Sequence, residues 1–276
     1  MAYDDYQLLK TRRDRGVLCV TIDHPPINLF DRSLMQEVSR IGREATADDA
    51  VKVMVFDSAN PEFFIAHADV EDILQMPTEV PPKPTELVGF QRMVERYRVM
   101  PKVTMATIEG RTGGGGSEFV LSLDMRFAAL GRAVLNQPEV ALGILPGGSG
   151  TQRLPRLMGR SRALEVILGC DDFPADLAER YGYVNRALPP EELTAFVERL
   201  AYRIASFPLE ALRLAKSAVL AAEISTRDGL LEEAHAFNQS VATTAAQTRM
   251  QQFLACGGQT RPGELDLATL LERLAD

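Results

Sequence analysis

Short apolar segments alternate with turns and helix-compatible segments through about the first 190 residues, and this alternation is the strongest constraint on the fold. Val51 to Phe56, Val103 to Ile108 and Met125 to Ala129 each have the length and composition of a buried β-strand. Repeated strand–turn–helix units are typical of an α/β core. The sequence therefore predicts an α/β fold for this part of the chain.

The N-terminal segment predicts a β-hairpin followed by a capped helix. Tyr6 to Leu9 and Val17 to Ile22 flank a charged turn from Arg12 to Gly16, as in a hairpin. Asp31 is a suitable N-cap, and a helix is expected from Arg32 toward Ala45 with its apolar residues along one side. Asp69 is expected to cap a second, short helix in the same way.

Four prolines between Met76 and Pro84 exclude regular structure, because proline lacks an N–H donor and fixes its backbone angle. This segment is either a mobile loop or lid or a linker, and we favour the loop because it interrupts an otherwise compact pattern. A helix is expected from Glu86 to Met100. The glycine-rich Gly110 to Gly116 is expected to be a turn, with a helix from Ser117 to Leu123.

Beyond about Pro189 the pattern is wholly helical. The expected helices are Glu191 to Ser206, Leu209 to Ala222, Ser225 to Thr244 and Leu267 to Leu274. We therefore divide the chain into a core of residues 1–190 and a helical C-terminal region of residues 191–276. The apolar faces of these helices require a cover, either the core of the chain or another subunit.

Composition excludes several classes of protein. The net charge of −8 argues against broad nucleic-acid binding. No apolar run approaches the roughly 20 residues that span a membrane, and the acidic N-terminus is unlike a signal peptide, so we expect a cytoplasmic protein. The three cysteines and three histidines have no metal-ligand spacing, so we expect no metal.

Two glutamates lie beside backbone features that could support catalysis. Glu118 follows the run Gly113 to Ser117 and precedes apolar residues, so burial should perturb its pKa. Glu139 lies shortly before a second glycine-rich stretch, from Leu145 to Thr151. Paired carboxyl groups can divide acid and base work, and N–H groups at a glycine-rich helix start can hold a developing oxyanion. These parts suffice to add water across an activated double bond.

The glycine-rich segments do not match the motifs of two other protein classes, dinucleotide-binding proteins and serine hydrolases. The spacing of a dinucleotide-binding G-x-G-x-x-G motif fits Gly110 to Gly116 only loosely, and no ribose-binding acid follows. Neither Ser117 nor Ser149 lies in the G-x-S-x-G motif of serine hydrolases.

Four motifs together resemble the crotonase superfamily, in particular the enoyl-CoA hydratase/isomerase family. They are His24-Pro25-Pro26-Ile27-Asn28, Phe64-Ile65-Ala66-His67-Ala68-Asp69, the run Gly110 to Glu118, and Asn136-Gln137-Pro138-Glu139 with the following Gly143 to Leu154. The resemblance extends from about residue 7 to residue 255. It implies a spiral of repeated ββα units, with a helical C-terminal region that covers the active site and forms a trimer or a dimer of trimers.

The resemblance also implies the reaction, the reversible syn addition of water to a trans-2-enoyl-CoA thioester. Glu118 would act chiefly as the base toward water, and Glu139 would exchange the proton at the α-carbon. The backbone N–H groups of Ala66 and Gly115 would form the oxyanion hole. Further substrate-binding residues are expected beside them: Ala66, His67, Ala68, Asp69, Gly114, Gly116, Pro138 and Gly147. The substrate carries coenzyme A, and no separate cofactor is expected.

Other activities stay open within this family. An enoyl-CoA isomerase generally retains only the second glutamate, whereas this chain has both. An acyl-CoA hydrolase or decarboxylase could use His67, which stands where the family commonly has glycine; the alternative is that His67 is a structural residue. A catalytically silent CoA-binding protein is the remaining possibility.

Overall fold

The computed structural model describes residues 3–87, 89–221 and 226–274, which form two β-sheets surrounded by helices. The larger sheet has the order β1-β2-β3-β5-β7-β10 and is parallel apart from the antiparallel pair β1–β2. The smaller sheet has the order β4-β6-β8-β9 and is parallel apart from β8–β9. The predicted α/β fold is confirmed.

The strands are β1 (Leu9–Asp14), β2 (Val17–Ile22), β3 (Val53–Ser58), β4 (Phe63–Ile65), β5 (Val103–Ile108), β6 (Arg111–Gly113), β7 (Met125–Ala129), β8 (Val134–Asn136), β9 (Phe173–Pro174) and β10 (Arg186–Leu188). Up to α7 the helices are α1 (Arg32–Ala47), α2 (Val70–Leu74), α3 (Gly89–Val99), α4 (Gly114–Leu121), the 3-10 helix Glu139–Leu142, α5 (Gly150–Met158), α6 (Arg160–Gly169) and α7 (Ala175–Tyr181).

After the last strand, the regular structure in the described residues is helical. These helices are α8 (Pro190–Ala205), α9 (Leu209–Leu220), α10 (Thr226–Val241), α11 (Thr244–Ala255), α12 (Arg261–Leu265) and α13 (Leu267–Glu272). The expected helix bounds at Ala222 and Ser225 lie outside the described residues. None of the helices in the described part of the chain is long and apolar enough to cross a membrane.

Several predicted elements are confirmed by their local chemistry. Asp31 caps α1, and its Oδ1 accepts a hydrogen bond from the Leu34 N–H at 2.8 Å. Asp69 caps α2 in the same way, accepting from the Glu71 N–H at 2.8 Å. The prolines from Pro77 to Pro84 lie in a mostly exposed segment without helix or strand.

Three local predictions were wrong. The hairpin turn is shorter than expected, because β1 continues through Arg12 to Asp14 as a charged edge strand paired with β2. The expected helix from Ser225 to Thr244 is interrupted, since Thr243 caps α11 by accepting from the Ala246 N–H at 3.1 Å. The expected turn at Gly110 to Gly116 is instead strand β6 followed by the first residues of α4.

Helix α4 is buried along its whole length, which holds the residues beside it in place. The ring of Phe119 packs edge-on against Phe30, Phe56 and Tyr97, with ring centres 5.8, 5.1 and 5.2 Å apart. Ser117 Oγ lies 2.6 Å from the Tyr183 hydroxyl. Burying a phenylalanine side chain contributes about 1.5–3 kcal/mol, so Phe119 anchors the helix firmly in the core.

The smaller sheet places the sequence motifs side by side. Strands β4, β6 and β8 are parallel neighbours, and Ile65 pairs with Thr112 while Gly113 pairs with Asn136. Because parallel strands end at the same edge of a sheet, the segments that follow these three strands meet there. These segments are residues 66–69, helix α4 and residues 137–139.

Candidate active site

Glu118 lies on α4 with its carboxyl group held by the loop before α5. Its Oε1 accepts hydrogen bonds from the N–H groups of Gly148 and Gly150, both at 2.7 Å. The side chain is buried, and this burial raises the pKa of Glu118 to about 7, although backbone donors at Gly150, Gly148 and Ser149 and the charge of Arg153 oppose the rise. A carboxyl group with such a pKa can accept or release a proton near neutral pH.

Glu139 is the first residue of the 3-10 helix after β8 and is also buried. Burial, followed by the charge of Glu118, raises its pKa well above the ordinary value. The Gln137 amide fits with its nitrogen donating to both Glu139 oxygens, at 3.1 and 3.0 Å, and its oxygen accepting from Ser117 Oγ. Glu139 is therefore a second carboxyl group whose proton affinity is set by its surroundings.

Both glutamates line one cavity of about 370 Å³ beside the smaller sheet. Of the other residues predicted to bind substrate, Ala68, Asp69, Gly115 and Gly147 also line it. The remaining predicted residues, Ala66, His67, Gly114, Gly116 and Pro138, are not among the lining residues. Two of these residues are kept from the cavity by their neighbours: Gly116 packs against Ile65, and Gly114 lies against the Glu139 and His67 side chains.

The prediction that Ala66 supplies an oxyanion donor was wrong, because its N–H donates to the Ile27 carbonyl at 3.2 Å. Ala68 has the required geometry instead. It forms a parallel bridge with Phe30 in which the His67 carbonyl and the Asp69 N–H are used, at 2.9 and 3.3 Å. The bridge leaves the N–H of Ala68 itself directed away from Phe30.

Gly115 lies next to Ala68 in the wall of the cavity. An added Cβ on Gly115 would lie 3.1 Å from the Ala68 Cβ and 3.4 Å from its nitrogen. Gly115 is the second residue of α4, and the first N–H groups of a helix have no intrahelical acceptor. Ala68 and Gly115 both line the cavity and lie in contact, so their N–H groups are the candidates for a pair of donors.

The rest of the cavity wall is mostly apolar. Phe90 from α3 and Phe237 from α10 lie against Gly148 and Gly147, where side chains larger than glycine would collide with their rings. Other apolar lining residues are Phe30, Met35, Ile73, Met76 and Ile144. This surface suits a hydrocarbon chain.

A third buried carboxyl group, Glu233 on α10, was missed by the sequence analysis. Its Oε2 accepts from the Thr151 N–H at 3.0 Å and from the Thr151 hydroxyl, and Gln91 Nε2 lies 3.5 Å from its Oε1. Burial and the charge of Glu118 raise the pKa of Glu233 to about 8. The available signal was the spacing of Glu233, which follows Leu230 by three positions and precedes Phe237 by four, so that a helix places all three on one face.

His67 is buried away from the cavity. Its Nε2 lies 3.0 Å from Glu264 Oε1, its Nδ1 lies 2.8 Å from the Ala68 carbonyl oxygen, and its ring packs edge-on against Phe253. Burial alone lowers the pKa of His67, but the charge of Glu264 and the hydrogen bonds outweigh it and raise the pKa.

The fold and the two buried carboxyl groups that line one mostly apolar cavity are typical of an enzyme site. The family model described as enoyl-CoA hydratase/isomerase matches residues 12–257. The chain belongs to this family, as its motifs predicted.

Relatives and solved structures agree with this assignment. The chain is 31% identical to the short-chain-enoyl-CoA hydratase of Clostridium acetobutylicum, over 88% of this chain and 92% of that protein. It is 32% identical to the crotonyl-CoA hydratase of Syntrophomonas wolfei, over 92% and 96% of the two chains. A solved structure of a candidate enoyl-CoA hydratase from Streptomyces avermitilis is 39% identical, with a TM-score of 0.89 over 98% of this chain and 99% of that one.

Proposed function

We propose that this protein is an enoyl-CoA hydratase that adds water to trans-2-enoyl-CoA thioesters with an apolar acyl chain. The observation that carries the proposal is the meeting of Glu118 and Glu139 with the Ala68 and Gly115 donors around one apolar cavity. A thioester oxygen between the two N–H groups places the neighbouring carbons toward the carboxyl groups. The sequence motifs and the relatives' printed activities support the same reaction.

The geometry supports a division of work between the glutamates. Glu118 Oε1 is held by two backbone donors, so Oε2 is left to accept a proton from water as the water oxygen bonds to the β-carbon. The electron pair of the double bond moves toward the thioester, and the resulting enolate oxygen is held by the Ala68 and Gly115 N–H groups. Glu139, whose pKa is raised by burial and by the charge of Glu118, delivers a proton to the α-carbon.

The proposal is tested with a panel of acyl-CoA thioesters in water enriched in oxygen-18, analysed by mass. A hydratase converts crotonyl-CoA to a product heavier by one labelled water. An isomerase converts a 3-enoyl-CoA to a 2-enoyl-CoA with unchanged mass, and a hydrolase releases free coenzyme A. Unchanged crotonyl-CoA after long incubation with the folded protein contradicts the proposed reaction.

We also propose that α9 contributes to the subunit contacts of a homotrimer or a dimer of trimers. None of the residues of α9 is buried within one chain, and Leu214 and Val219 are 63% and 71% exposed. Apolar surfaces of this kind usually mark contacts between subunits. Light scattering at micromolar concentration tests this assembly, and a stable monomer contradicts it.

A further inference from the structure

A short segment near the C-terminus lies across the residues that carry one of the oxyanion donors. We call residues 259–264 the tail segment and residues 66–70 the oxyanion segment. The two are almost 200 positions apart in sequence, yet their side chains and backbone groups are joined by hydrogen bonds and a buried ion pair. These contacts restrain the backbone of the oxyanion segment.

The ion pair of His67 and Glu264 is the centre of this contact. The side chains are 5% and 2% exposed, so the pair is shielded from solvent, and it is an ion pair when the imidazole is protonated. Glu264 Oε1 also accepts from the Gln259 N–H at 2.7 Å, which fixes the carboxyl group within the tail segment. Both ring nitrogens of His67 face acceptors, the Glu264 carboxylate and the Ala68 carbonyl, so the imidazole donates from both when it is protonated.

Gln259 makes a second connection between the two segments. Its Oε1 accepts from the Val70 N–H, and its Nε2 donates to Asp69 Oδ1 at 3.1 Å. Asp69 is the N-cap of α2, so the tail segment also braces the start of that helix. The oxyanion segment is therefore held at His67, at Asp69 and at Val70.

These contacts restrict the one peptide group whose orientation matters most. The Ala68 N–H belongs to the peptide that His67 begins, and the carbonyl oxygen of that peptide accepts from the Phe30 N–H at 2.9 Å. The His67 side chain is fixed by Glu264 on the other side. Rotation of the peptide would break the Phe30 bond or pull the imidazole from its buried partner.

We propose that Glu264 is a positioning residue for hydration, acting through His67 to hold the Ala68 N–H toward the thioester oxygen. This inference rests on the proposed function, because it assumes that Ala68 is an oxyanion donor. The docked tail segment then completes the active site, and catalysis depends on a residue that is not among those lining the cavity. A purely stabilising ion pair would affect unfolding but would leave the polarisation of a bound thioester unchanged.

The test measures that polarisation directly with butyryl-CoA carrying carbon-13 at the carbonyl. This saturated thioester cannot be hydrated, and hydrogen bonds to its oxygen move the carbonyl resonance downfield. Glu264→Ala removes the ion pair, whereas Glu264→Gln keeps an acceptor for the Gln259 N–H and a hydrogen-bonding partner for His67. Glu62→Gln is the matched control, because Glu62 forms an exposed ion pair with Arg261 of the same tail segment.

The expected result is a downfield resonance in the wild type and Glu62→Gln, a smaller displacement in Glu264→Ala, and recovery of most of it in Glu264→Gln. With crotonyl-CoA, kcat of Glu264→Ala should fall about 10- to 100-fold while KM changes less than about threefold, since a misplaced oxyanion donor weakens transition-state binding. The double variant His67→Ala, Glu264→Ala leaves no unpaired buried charge. The double variant should show the same loss of kcat and of carbonyl displacement. If Glu264→Ala does not fold, the double variant tests the role of Glu264 in its place.

Two outcomes have different meanings. No displacement of the resonance in the wild type contradicts the oxyanion hole and hence the proposed function itself. Displacement in the wild type that persists unchanged in Glu264→Ala or the double variant, with unchanged kcat, overturns only the role of Glu264.

Discussion

Replacing Glu118 with glutamine should make the protein more stable while removing most of its turnover. Burial raises the pKa of this carboxyl group from 4.5 to about 7. The folded protein therefore holds the proton more tightly than the unfolded chain, and stability falls as pH rises from 4.5 through 7. Above that range the ionised group costs about 3 kcal/mol of unfolding free energy, and below 4.5 it costs nothing.

Glutamine has nearly the same shape and keeps an oxygen for the Gly148 and Gly150 N–H groups, so the substitution removes the charge with little change in packing. A chain of this size gains about 2 °C in Tm for each kcal/mol. Glu118→Gln should therefore raise Tm by about 6 °C at pH 8.5 and by about 2 °C at pH 5. Crotonyl-CoA hydration should fall by about two to four powers of ten, the usual loss for a positioned base.

Thermal unfolding of both proteins at the two pH values checks the reasoning, with Glu95→Gln as a control of opposite sign. Burial raises the pKa of Glu95, but its ion pairs with Arg98 and Arg153 outweigh burial and lower it. Glu95→Gln should therefore lower Tm at pH 8.5. A Glu118→Gln protein that is less stable than the wild type at pH 8.5, or equally stabilised at both pH values, would refute the electrostatic argument.

Three further perturbations test other parts of the site. Gly148→Ala places a Cβ 2.5 Å from Glu118 Oε2, so steady-state turnover should fall at least about tenfold, and retention of half the activity would contradict the proposed geometry. Glu233→Gln removes a charge that raises the pKa of Glu139. If loss of the Glu139 proton sets the high-pH limb of the kcat/KM profile, that limb should move to lower pH, and an unchanged limb would show that another group sets it. Val219→Glu should reduce the particle mass in light scattering, and an unchanged mass would place the subunit contact elsewhere.

The periodic elements could be predicted from sequence because their signals are local. Strands β5 and β7 have the predicted bounds, and α1 begins after its predicted cap. The start of α4 could not be predicted in this way, because Gly114 to Gly116 have low intrinsic helix propensity. Burial of the whole helix and close packing of Gly116 on Ile65 override that local preference.

The oxyanion donor and the third carboxyl group show two other limits of sequence reasoning. Ala66 and Ala68 are equivalent small residues in an extended segment, and only the neighbours on either side, Ile27 and Phe30, decide which N–H is engaged. Glu233 and Glu264 are far in sequence from the motifs they contact. Their roles depend on tertiary packing of the helical C-terminal region, which local patterns do not specify.

The start of α4 is so closely packed that its residues tolerate little change, whereas the residues beside the acyl chain can vary more freely. A side chain at Gly113 would overlap the Ala66 carbonyl oxygen and Asn136, and one at Gly116 would lie 2.6 Å from the Ile65 carbonyl oxygen. Almost any mutation there damages the reacting centre itself. The opposite wall is built from Phe90 and Phe237 on distant helices. Mutations at those two positions change the shape of the acyl pocket without adding atoms to the packed start of α4, so substrate preference can change with less damage to the reacting centre.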